Sequence, residues 1–351
     1  MKRLIVILLL VMLPFTFALA GGEETTVLLS FAGDTTLGGH EGWMDYSIGT
    51  FKVMAQEKGY SYFLEKALPH FSQDDLTIVN LEGVLADSAK GQNKRTKWNF
   101  RGLTEYAAVL TLGSVEAVTR GNNHTADFGQ KGLMSTQDTL DAAGILYSLD
   151  DKPFVFEKNG VKVGFLGFTA SSYSSYRAQL PELIRDLKEK ENCSAVVVQY
   201  HGGKQYRHTH NKEQTEDMRY AIDAGADLVI GHHPHVLQGM EVYRDRSIVY
   251  SLGDFCYGGN RKPREMEYPT MVLQAALQFD GNGRYLSQQL TIHPYRISAT
   301  SPRNNYQPFP VTGDQADEVM SLIQNDTPFT LNRFVPGPGA VQETVFASGN
   351  P

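Results

Sequence analysis

Three histidines are crowded into residues 231–235, which read Gly-His-His-Pro-His directly after the strand-like run 226–230. The chain has only ten histidines among its 351 residues. A buried imidazole costs free energy unless it is hydrogen-bonded or bound to an ion. The spacing lets the alternate side chains of His233 and His235 address two neighbouring metal ions, while Pro234 fixes the backbone between them. His232 is then expected to face away.

Other side chains that bind metals also follow predicted strands, at one to five residues past the strand end. They are Asp34, Glu82, Asn123 with His124, and His201. The carboxyl ends of strands in an open α/β sheet form one edge, where ligands bind, so these groups should converge with the histidine pair. Two carboxylates, an amide oxygen and three imidazoles suit Zn, Mn or Fe, and suffice for two divalent ions that share a bridging carboxylate. Such a pair can hold a phosphoryl group and activate a bound water.

Each of these residues also has an ordinary structural interpretation. Asp34 could be a turn residue, Glu82 a helix cap, and Asn123 a left-handed turn residue. His201, beside two glycines, could be a hydrogen-bonded, half-buried histidine. The coincidence at five strand ends favours a metal site over five separate structural roles.

Two other pairs of reactive residues are not assigned to this site. His208 and His210 form a second His-x-His in a polar loop with no strand directly before it. We predict that they are loop residues near the substrate and not primary ligands. Cys193 precedes a predicted strand and Cys256 follows one, so we expect them at opposite ends of a sheet as separate thiols.

Alternating strands and helices must position the site. Strands are predicted at 26–31, 76–81, 115–120, 154–158, 161–168, 194–200, 226–230, 237–243, 247–252, 271–279 and 285–293, and helices at 46–71, 130–143, 181–191, 214–224 and 315–324. Asn159-Gly160 between two strand-like runs predicts a hairpin. This order indicates an α/β fold with antiparallel strands added late. Residues 301–351, rich in Pro, Asn and Gly, are predicted to be a C-terminal extension with one helix and a flexible tail from Pro336.

Residues 1–20 have a basic start, a short apolar stretch and a small-x-small end, which predict a secretory signal peptide cleaved near Ala20. The alternative is an uncleaved anchor, for which the apolar run is short. Loss of Lys2 and Arg3 moves the formal net charge from −7 to −9. This acidic balance argues against nucleic acid or an anionic membrane as partner. We expect a secreted or cell-envelope protein, in the periplasm or on the outer surface.

In these motifs the chain resembles the bacterial capsule-synthesis CapA family, also called poly-γ-glutamate biosynthesis proteins. The resemblance runs from about Val27 to His293. It is carried by GDTTLG, NLEG, Phe100-Arg101-Gly102, NNHTADFG, GADLVIGHHPHVLQ and IVYSLGDF. It implies the fold of the calcineurin-like metallophosphoesterases, a four-layer α/β/β/α sandwich with mixed sheets, over residues 21–300.

The resemblance also implies roles for individual residues. His124 becomes the acid that protonates the leaving oxygen, held in place by Asp127 or a backbone group. Glu82 becomes the bridging carboxylate between the two metal ions. The implied metal ligands are Asp34, Glu82, Asn123, His201, His233 and His235.

The chain departs from the family pattern at several of these motifs. Thr36 stands where the phosphoesterases have a histidine ligand, and Glu82 stands where they prefer Asp, a change that CapA-like proteins share. Gly202-Gly203 and Gln205 replace the usual Trp-Gly and a following Glu. Asp254 occupies the Asn position of the later Ser-Leu-Gly-Asn-Phe motif. These departures bear on catalysis and not on the fold.

Two functions therefore compete. The first is a metal-dependent, phosphoesterase-type hydrolase acting in synthesis, export or processing of an anionic capsule polymer such as poly-γ-glutamate. The second is a non-catalytic factor that binds the polymer or assists assembly together with membrane-bound capsule-synthesis components. Thr36 favours the second function, and His124 beside Asn123 favours the first. Because the chain is acidic, a few basic residues such as Lys94, Arg95 and Arg101 would hold the polymer locally.

Overall fold

The structure, a computed structural model, describes residues 22–345, so the predicted signal peptide lies outside the described residues. The first strands are β1 Gly22–Thr36, β2 Gly39–His40, β3 Leu76–Leu81, β4 Val84–Leu85, β5 Phe100–Gly102, β6 Ala117–Thr119, β7 Leu146–Ser148, β8 Asp150–Lys158 and β9 Val161–Thr169. The later strands are β10 Ala195–His201, β11 Leu228–His232, β12 Met240–Tyr243, β13 Arg246–Val249, β14 Asp254–Tyr257, β15 Pro269–Gly281, β16 Tyr285–Arg296, β17 Phe309–Pro310 and β18 Ala340–Val345. The helices are α1 Phe51–Lys58, α2 Leu68–Phe71, α3 Ala107–Leu112, α4 Gly129–Ala143, α5 Ala170–Tyr176, α6 Leu180–Glu189, α7 Lys212–Asp223 and α8 Asp314–Gln324.

Two mixed sheets pack face to face, and helices cover their outer faces. The first sheet has the order β17-β16-β15-β1-β3-β6-β7, with β14 also paired to β1 and β18 to β16. The second has the order β12-β13-β11-β10-β9-β8. Helices α1 to α4 pack on the first sheet and α5 to α7 on the second. The expected four-layer α/β/β/α sandwich with mixed sheets is confirmed.

Alternation along the strands explains this layering. In β10, Ala195 and Val197 face the core between the sheets, whereas Val196 and Val198 face the helices. Successive side chains of a strand point to opposite faces, so a strand covered on both faces is apolar throughout. The neighbours β1, β3 and β6 run parallel, as do β9, β10 and β11. Residues that follow these strands therefore gather at one edge of the sandwich.

Local signals in the sequence correctly placed several turns. The β8–β9 hairpin turns at Asn159 and Gly160, whose φ angles are 51° and 78°, as a tight hairpin requires. Helix α4 ends at Gly144 in the left-handed conformation. The helix expected over 46–71 is wrong in extent, because Gly59 with φ 77° ends α1 and turns separate it from α2.

The C-terminal extension is more ordered than predicted. Strand β18 pairs antiparallel with β16 along Ser287 to Ile292, and α8 packs on the core between the sheets. The expectation of a flexible tail from Pro336 is wrong for 340–345, because β18 satisfies the otherwise open edge of β16. Cys193 and Cys256 are both buried and unpaired. Within residues 22–345, no helix combines the length and the hydrophobicity needed to cross a bilayer.

A histidine pair on the first sheet makes stability depend on pH. His293 Nε2 lies 2.8 Å from Gln274 Oε1, and the ring stands 4.1 Å from that of His70. Burial, aided by His70, lowers the pKa of His293 to about 3. A lowered folded pKa means that stability is complete above the unfolded pKa of about 6.5 and is lost as the pH falls toward 3. We expect His293 to lower the free energy of unfolding by about 2 kcal/mol between pH 7 and pH 5.

Urea unfolding at both pH values tests this expectation, with His293→Gln as the comparison because glutamine keeps a polar group beside Gln274. The variant should lose about 2 kcal/mol less than the wild type over the same interval. Equal losses in the two proteins would contradict the assignment.

Candidate metal centre

Asp34 forms the floor of a buried polar centre at the gathered strand ends. It lies at an irregularity of β1, with its Cα in register with Asn80 of β3 and with Asp254 of β14. Asn80 Nδ2 donates to Asp34 Oδ1 at 2.7 Å, and the backbone N–H of His233 donates to Oδ2 at 3.2 Å. Burial acts to raise the pKa of Asp34, but the hydrogen bond from His235 and the neighbouring imidazoles together outweigh it and lower that pKa far below its usual value. Asp34 is therefore a charged carboxylate.

Glu82 is the least satisfied group of the centre. It follows β3 directly and is fully buried, yet neither carboxylate oxygen has a hydrogen-bond partner among the described residues. Its Oε1 lies 3.8 Å from His124 Nε2 and 3.7 Å from His201 Nε2. Burial, together with the charge of Asp34, raises the pKa of Glu82 well above its usual value. A buried carboxylate without partners is costly unless a cation binds it.

His201, the last residue of β10, connects the strand ends of both sheets. Its Nδ1 accepts from Asn80 Nδ2 at 3.1 Å, and its Nε2 lies 2.6 Å from Asn123 Oδ1. The same Nε2 is 3.0 Å from His233 Nδ1. Potential ligand atoms from segments far apart in the sequence therefore lie close to His201 Nε2. Such convergence is expected where several side chains bind one metal ion.

The backbone of the Gly-His-His-Pro-His segment is strained where it supplies ligands. His233 and His235 have φ angles of 98° and 58°, a region that costs non-glycine residues about 1–3 kcal/mol. Strain of this kind persists where function requires the side-chain direction. His232 does not face away as expected. It is still part of β11, and its buried Nδ1 lies 3.6 Å from Asp34 Oδ1, beneath the centre.

Asp254 is the residue of this centre that the sequence interpretation missed. Parallel pairing of β14 with β1 sets it beside Asp34. Its Oδ1 lies 2.8 Å from His235 Nδ1, while its buried Oδ2 has no partner among the described residues. Burial raises the pKa of Asp254 to about 7. The available signal was a carboxylate, in place of an amide, just after the strand-like run 247–252.

His124 and Asp127 form a pair at the side of the centre. His124 Nδ1 lies 2.7 Å from Asp127 Oδ2, which also accepts from the backbone N–H of Phe100 at 2.7 Å. The Phe100 ring packs on the imidazole at a centroid distance of 4.2 Å. These contacts fix the ring so that Nε2 faces Glu82.

Burial and neighbouring charges push the pKa values of the imidazoles apart. Burial lowers the pKa of His201 well below its usual value, and His233 lowers it further. Burial, aided by His235, lowers the pKa of His233 to about 4. For His235, burial acts to lower the pKa, but the charges of Asp254 and Glu82 outweigh it and raise the pKa well above its usual value. His201 and His233 are therefore neutral at pH 7, the form that binds a metal.

Two overlapping groups of side chains have the composition and spacing to hold metal ions. One comprises Glu82, His233 and His235, and the other Asp34, His235 and Asp254, with ligand atoms within 4.8 Å of one another in each group. The unpartnered oxygens of Glu82 and Asp254 fit a divalent cation, because they lack any other compensation for burial. Thr36 does not contribute, because its hydroxyl donates to the Glu82 carbonyl at 2.8 Å.

Other candidate residues have structural contacts instead. His208 Nδ1 lies 2.9 Å from the Leu237 carbonyl oxygen, and His210 Nδ1 lies 2.9 Å from Asp326 Oδ2. Both histidines therefore fix their loop to the rest of the fold. Arg101, expected to hold an anionic polymer, is buried and paired with Glu41, so it stabilises the neighbouring loop and does not face solvent.

Comparison with known proteins agrees with the motifs. Residues 28–258 match the family described as "Bacterial capsule synthesis protein PGA_cap". The chain is 30% identical to the PGA biosynthesis protein CapA of Bacillus subtilis, over 80% of this chain and 78% of that protein. It is 29% identical to the capsule biosynthesis protein CapA of Bacillus anthracis, over 67% of this chain and 61% of that protein. The Thermus thermophilus sulfate thiohydrolase SoxB covers 86% of this chain and 60% of its own, with 12% identity and a TM-score of 0.43. The chain belongs to the bacterial capsule synthesis protein family.

Proposed function

We propose that this protein is a metal-dependent hydrolase of the phosphoesterase type that acts on an anionic capsule polymer such as poly-γ-glutamate, or on a phosphoester formed during its synthesis or export. The observation that carries the proposal is Glu82, a buried carboxylate with two unpartnered oxygens among imidazoles. The names of the CapA relatives support the choice of polymer.

The residues that would hold the metal ions are Asp34, Glu82, Asn123, His201, His233, His235 and Asp254. When bound, two such ions lower the pKa of a coordinated water and stabilise developing negative charge. The neutral imidazoles of His201 and His233 and the charged carboxylate of Asp34 can serve as ligands without a change of protonation. Glu82 and His235, whose pKa values are raised, release protons when a metal ion binds. Asn80 holds Asp34 and His201 in place through its amide nitrogen, which fixes ligand orientation as outer partners do in metal sites.

In this proposal His124 acts as the general acid. Asp127 binds Nδ1, so the proton available for transfer is on Nε2, the nitrogen that faces Glu82. Protonation by this group of the leaving oxygen of a phosphoester, or of the leaving nitrogen of a polymer amide, contributes about 10²–10⁴-fold in rate. Asp127 fixes the ring and stabilises the charged imidazole through its own buried carboxylate.

The alternative is a non-catalytic factor that binds the polymer or assists its assembly. It is favoured by Thr36, whose hydroxyl is engaged by the Glu82 carbonyl and supplies no ligand. A factor that only binds, however, has no use for the His124–Asp127 pair. We therefore place hydrolysis first.

The test is turnover of an aryl phosphate and cleavage of poly-γ-glutamate by the mature protein, with and without added manganese. We expect metal-dependent turnover, and a loss of about 100-fold in kcat for His124→Ala because the leaving oxygen loses its acid. Metal content should stay unchanged in this variant.

His208→Ala is the matched control. It removes a histidine whose imidazole lies against the Leu237 carbonyl oxygen and which is not a proposed metal ligand. It should retain turnover. A wild-type protein that binds metal and polymer yet turns over neither probe would favour the assembly factor.

We propose further that residues 1–20 direct export, so that the mature protein works at the cell envelope with membrane-bound capsule-synthesis components. The composition of this segment supports the proposal. N-terminal sequencing of the protein from cell fractions tests it: a start near Gly21 in the envelope or medium is expected, and intact protein confined to the cytoplasm contradicts it.

A further inference from the structure

Three loops around the metal centre carry positive charge and no acidic residue. Residues 88–99, 202–211 and 258–264, here called the basic collar, contain no Asp or Glu, although the whole chain has a formal charge of −7. Within residues 22–345, the following exposed cations of the collar form no ion pair: Lys90, Lys94, Arg95, Lys97, Lys204, Arg207 and Lys262. The three loops therefore carry unpaired positive charge, although acidic residues such as Asp87 and Glu265 flank them in the sequence.

The first loop of the collar is fixed to the proposed acid pair. The backbone N–H of Asn93 donates to the Asp127 carbonyl at 2.7 Å, and the Asn99 carbonyl accepts from the backbone N–H of Glu41 at 2.9 Å. The Trp98 ring packs edge-on against His40 at 5.0 Å. The cations of this loop are therefore held next to the centre and are not on a freely moving segment.

The other two loops are fixed to further strand ends of the centre. Gly202 and Tyr206 donate their backbone N–H groups to the carbonyls of His232 and Pro234, at 3.0 and 2.7 Å. Gly258 donates to the Thr36 carbonyl at 2.9 Å. The second and third loops also contact each other, because the Arg264 guanidinium stacks on the Tyr206 ring at 3.5 Å. The collar therefore borders the centre at several of its strand ends.

We propose that the basic collar binds a linear polycarboxylate chain and holds it across the metal centre. The inference rests on the proposed function and specifies how its substrate is recognised. Exposed charges interact within a Debye length of about 8–10 Å, so a ligand with repeated charges gains from several collar cations at once. The acidic remainder of the surface repels the same ligand, which confines binding to the collar.

The chemistry of the loops favours a polycarboxylate over a nucleic acid. Proteins that bind single-stranded nucleic acids present open aromatic faces on which bases stack. In the collar, Lys97 covers the Trp98 ring at 4.9 Å, and Arg264 covers Tyr206. Trp98 keeps 42% of its surface exposed, but the exposed charged groups of the collar are all ammonium and guanidinium groups, which bind carboxylates.

The experiment measures binding of fluorescently labelled poly-γ-glutamate to the mature, metal-loaded protein by anisotropy at low and high salt. The test variant replaces Lys90, Lys94, Arg95 and Lys97 with glutamine. A control variant replaces the same number of exposed, unpaired cations outside the collar, Lys58, Lys66, Lys152 and Arg333. We expect the Kd to rise at least tenfold in the test variant, a flatter salt dependence, and no change in the control.

The outcomes separate this inference from the proposed function. If the test variant binds poly-γ-glutamate as tightly as the wild type, the proposed role of the collar is wrong, whatever the turnover of His124→Ala. Equally tight, collar-dependent binding of a single-stranded oligonucleotide overturns the polycarboxylate assignment. If the polymer binds through the collar but His124→Ala has the same turnover as the wild type, the collar is supported and the proposed hydrolase is contradicted.

Discussion

Glu82→Gln is expected to abolish metal binding and turnover while making the metal-free protein more stable. The substitution keeps the shape of the side chain but removes a buried ionisable group whose oxygens have no partner among the described residues. Relief of that desolvation should raise the free energy of unfolding by about 1–3 kcal/mol. Turnover should fall by more than about 10³-fold, because the bridging ligand of the proposed centre is lost.

The stabilisation should depend on pH with a defined sign. Burial and the charge of Asp34 raise the folded pKa of Glu82, so its destabilising effect is absent below the unfolded pKa of about 4.3 and grows as the pH rises. Chemical denaturation of the metal-free proteins at pH 4 and pH 7 measures this difference. Added manganese should raise the Tm of the wild type only, since ligands stabilise the state that binds them.

Glu241→Gln provides the opposite control. Glu241 is also buried, but it is paired with Arg219 and accepts from the Tyr250 hydroxyl at 2.6 Å. Its replacement should lower stability and leave metal binding intact, because it breaks a satisfied pair. If Glu82→Gln destabilised the metal-free protein as much as Glu241→Gln does, or retained full metal content, Glu82 would not be a metal ligand.

Asp254→Asn is expected to remove one of the two proposed metal ions. In the wild type, His235 Nδ1 lies 2.8 Å from the Asp254 carboxylate. Asparagine keeps an oxygen at this position but lacks the negative charge. Loss of a ligand should exceed the roughly 10- to 100-fold effect of an outer-sphere change on affinity. We expect more than a 100-fold weaker second binding step, measured by calorimetric titration and metal analysis.

Asp127→Asn is the matched control for this experiment. Both carboxylates act on the charge state of Glu82, but Asp127 binds His124 and Phe100. This variant should lose turnover and keep both metal ions. Two metal ions bound with wild-type affinity in Asp254→Asn would show that Asp254 only orients His235.

Most of the site could be predicted because its residues follow directly from strands with clear apolar patterns. Asp34, Glu82 and His201 each lie at or near the end of a buried strand, and parallel pairing brings such ends together. Knowledge of the order of the strands was unnecessary for this step. The apolar pattern alone was sufficient to place the groups on one edge.

The rest depended on pairings between distant segments. Asp254 enters the centre through the register of β14 with β1, and nothing near residue 254 specifies that partner. The pairing of β18 with β16 is likewise set by an open edge far along the chain. Arg101 appears in the sequence as an available cation, and only the fold shows that Glu41 neutralises it.

The pairing of β1 with β14 also sets the order in which the centre can form. Asp34 is among the first described residues, whereas Asp254 follows the whole second sheet. In a chain that is still emerging from a ribosome or a translocon, the pocket lacks Asp254 until β14 has paired with β1. Ion uptake by the proposed group that contains Asp254 would therefore be a late event in folding, and a protein exported unfolded would select its metal from the compartment where it arrives.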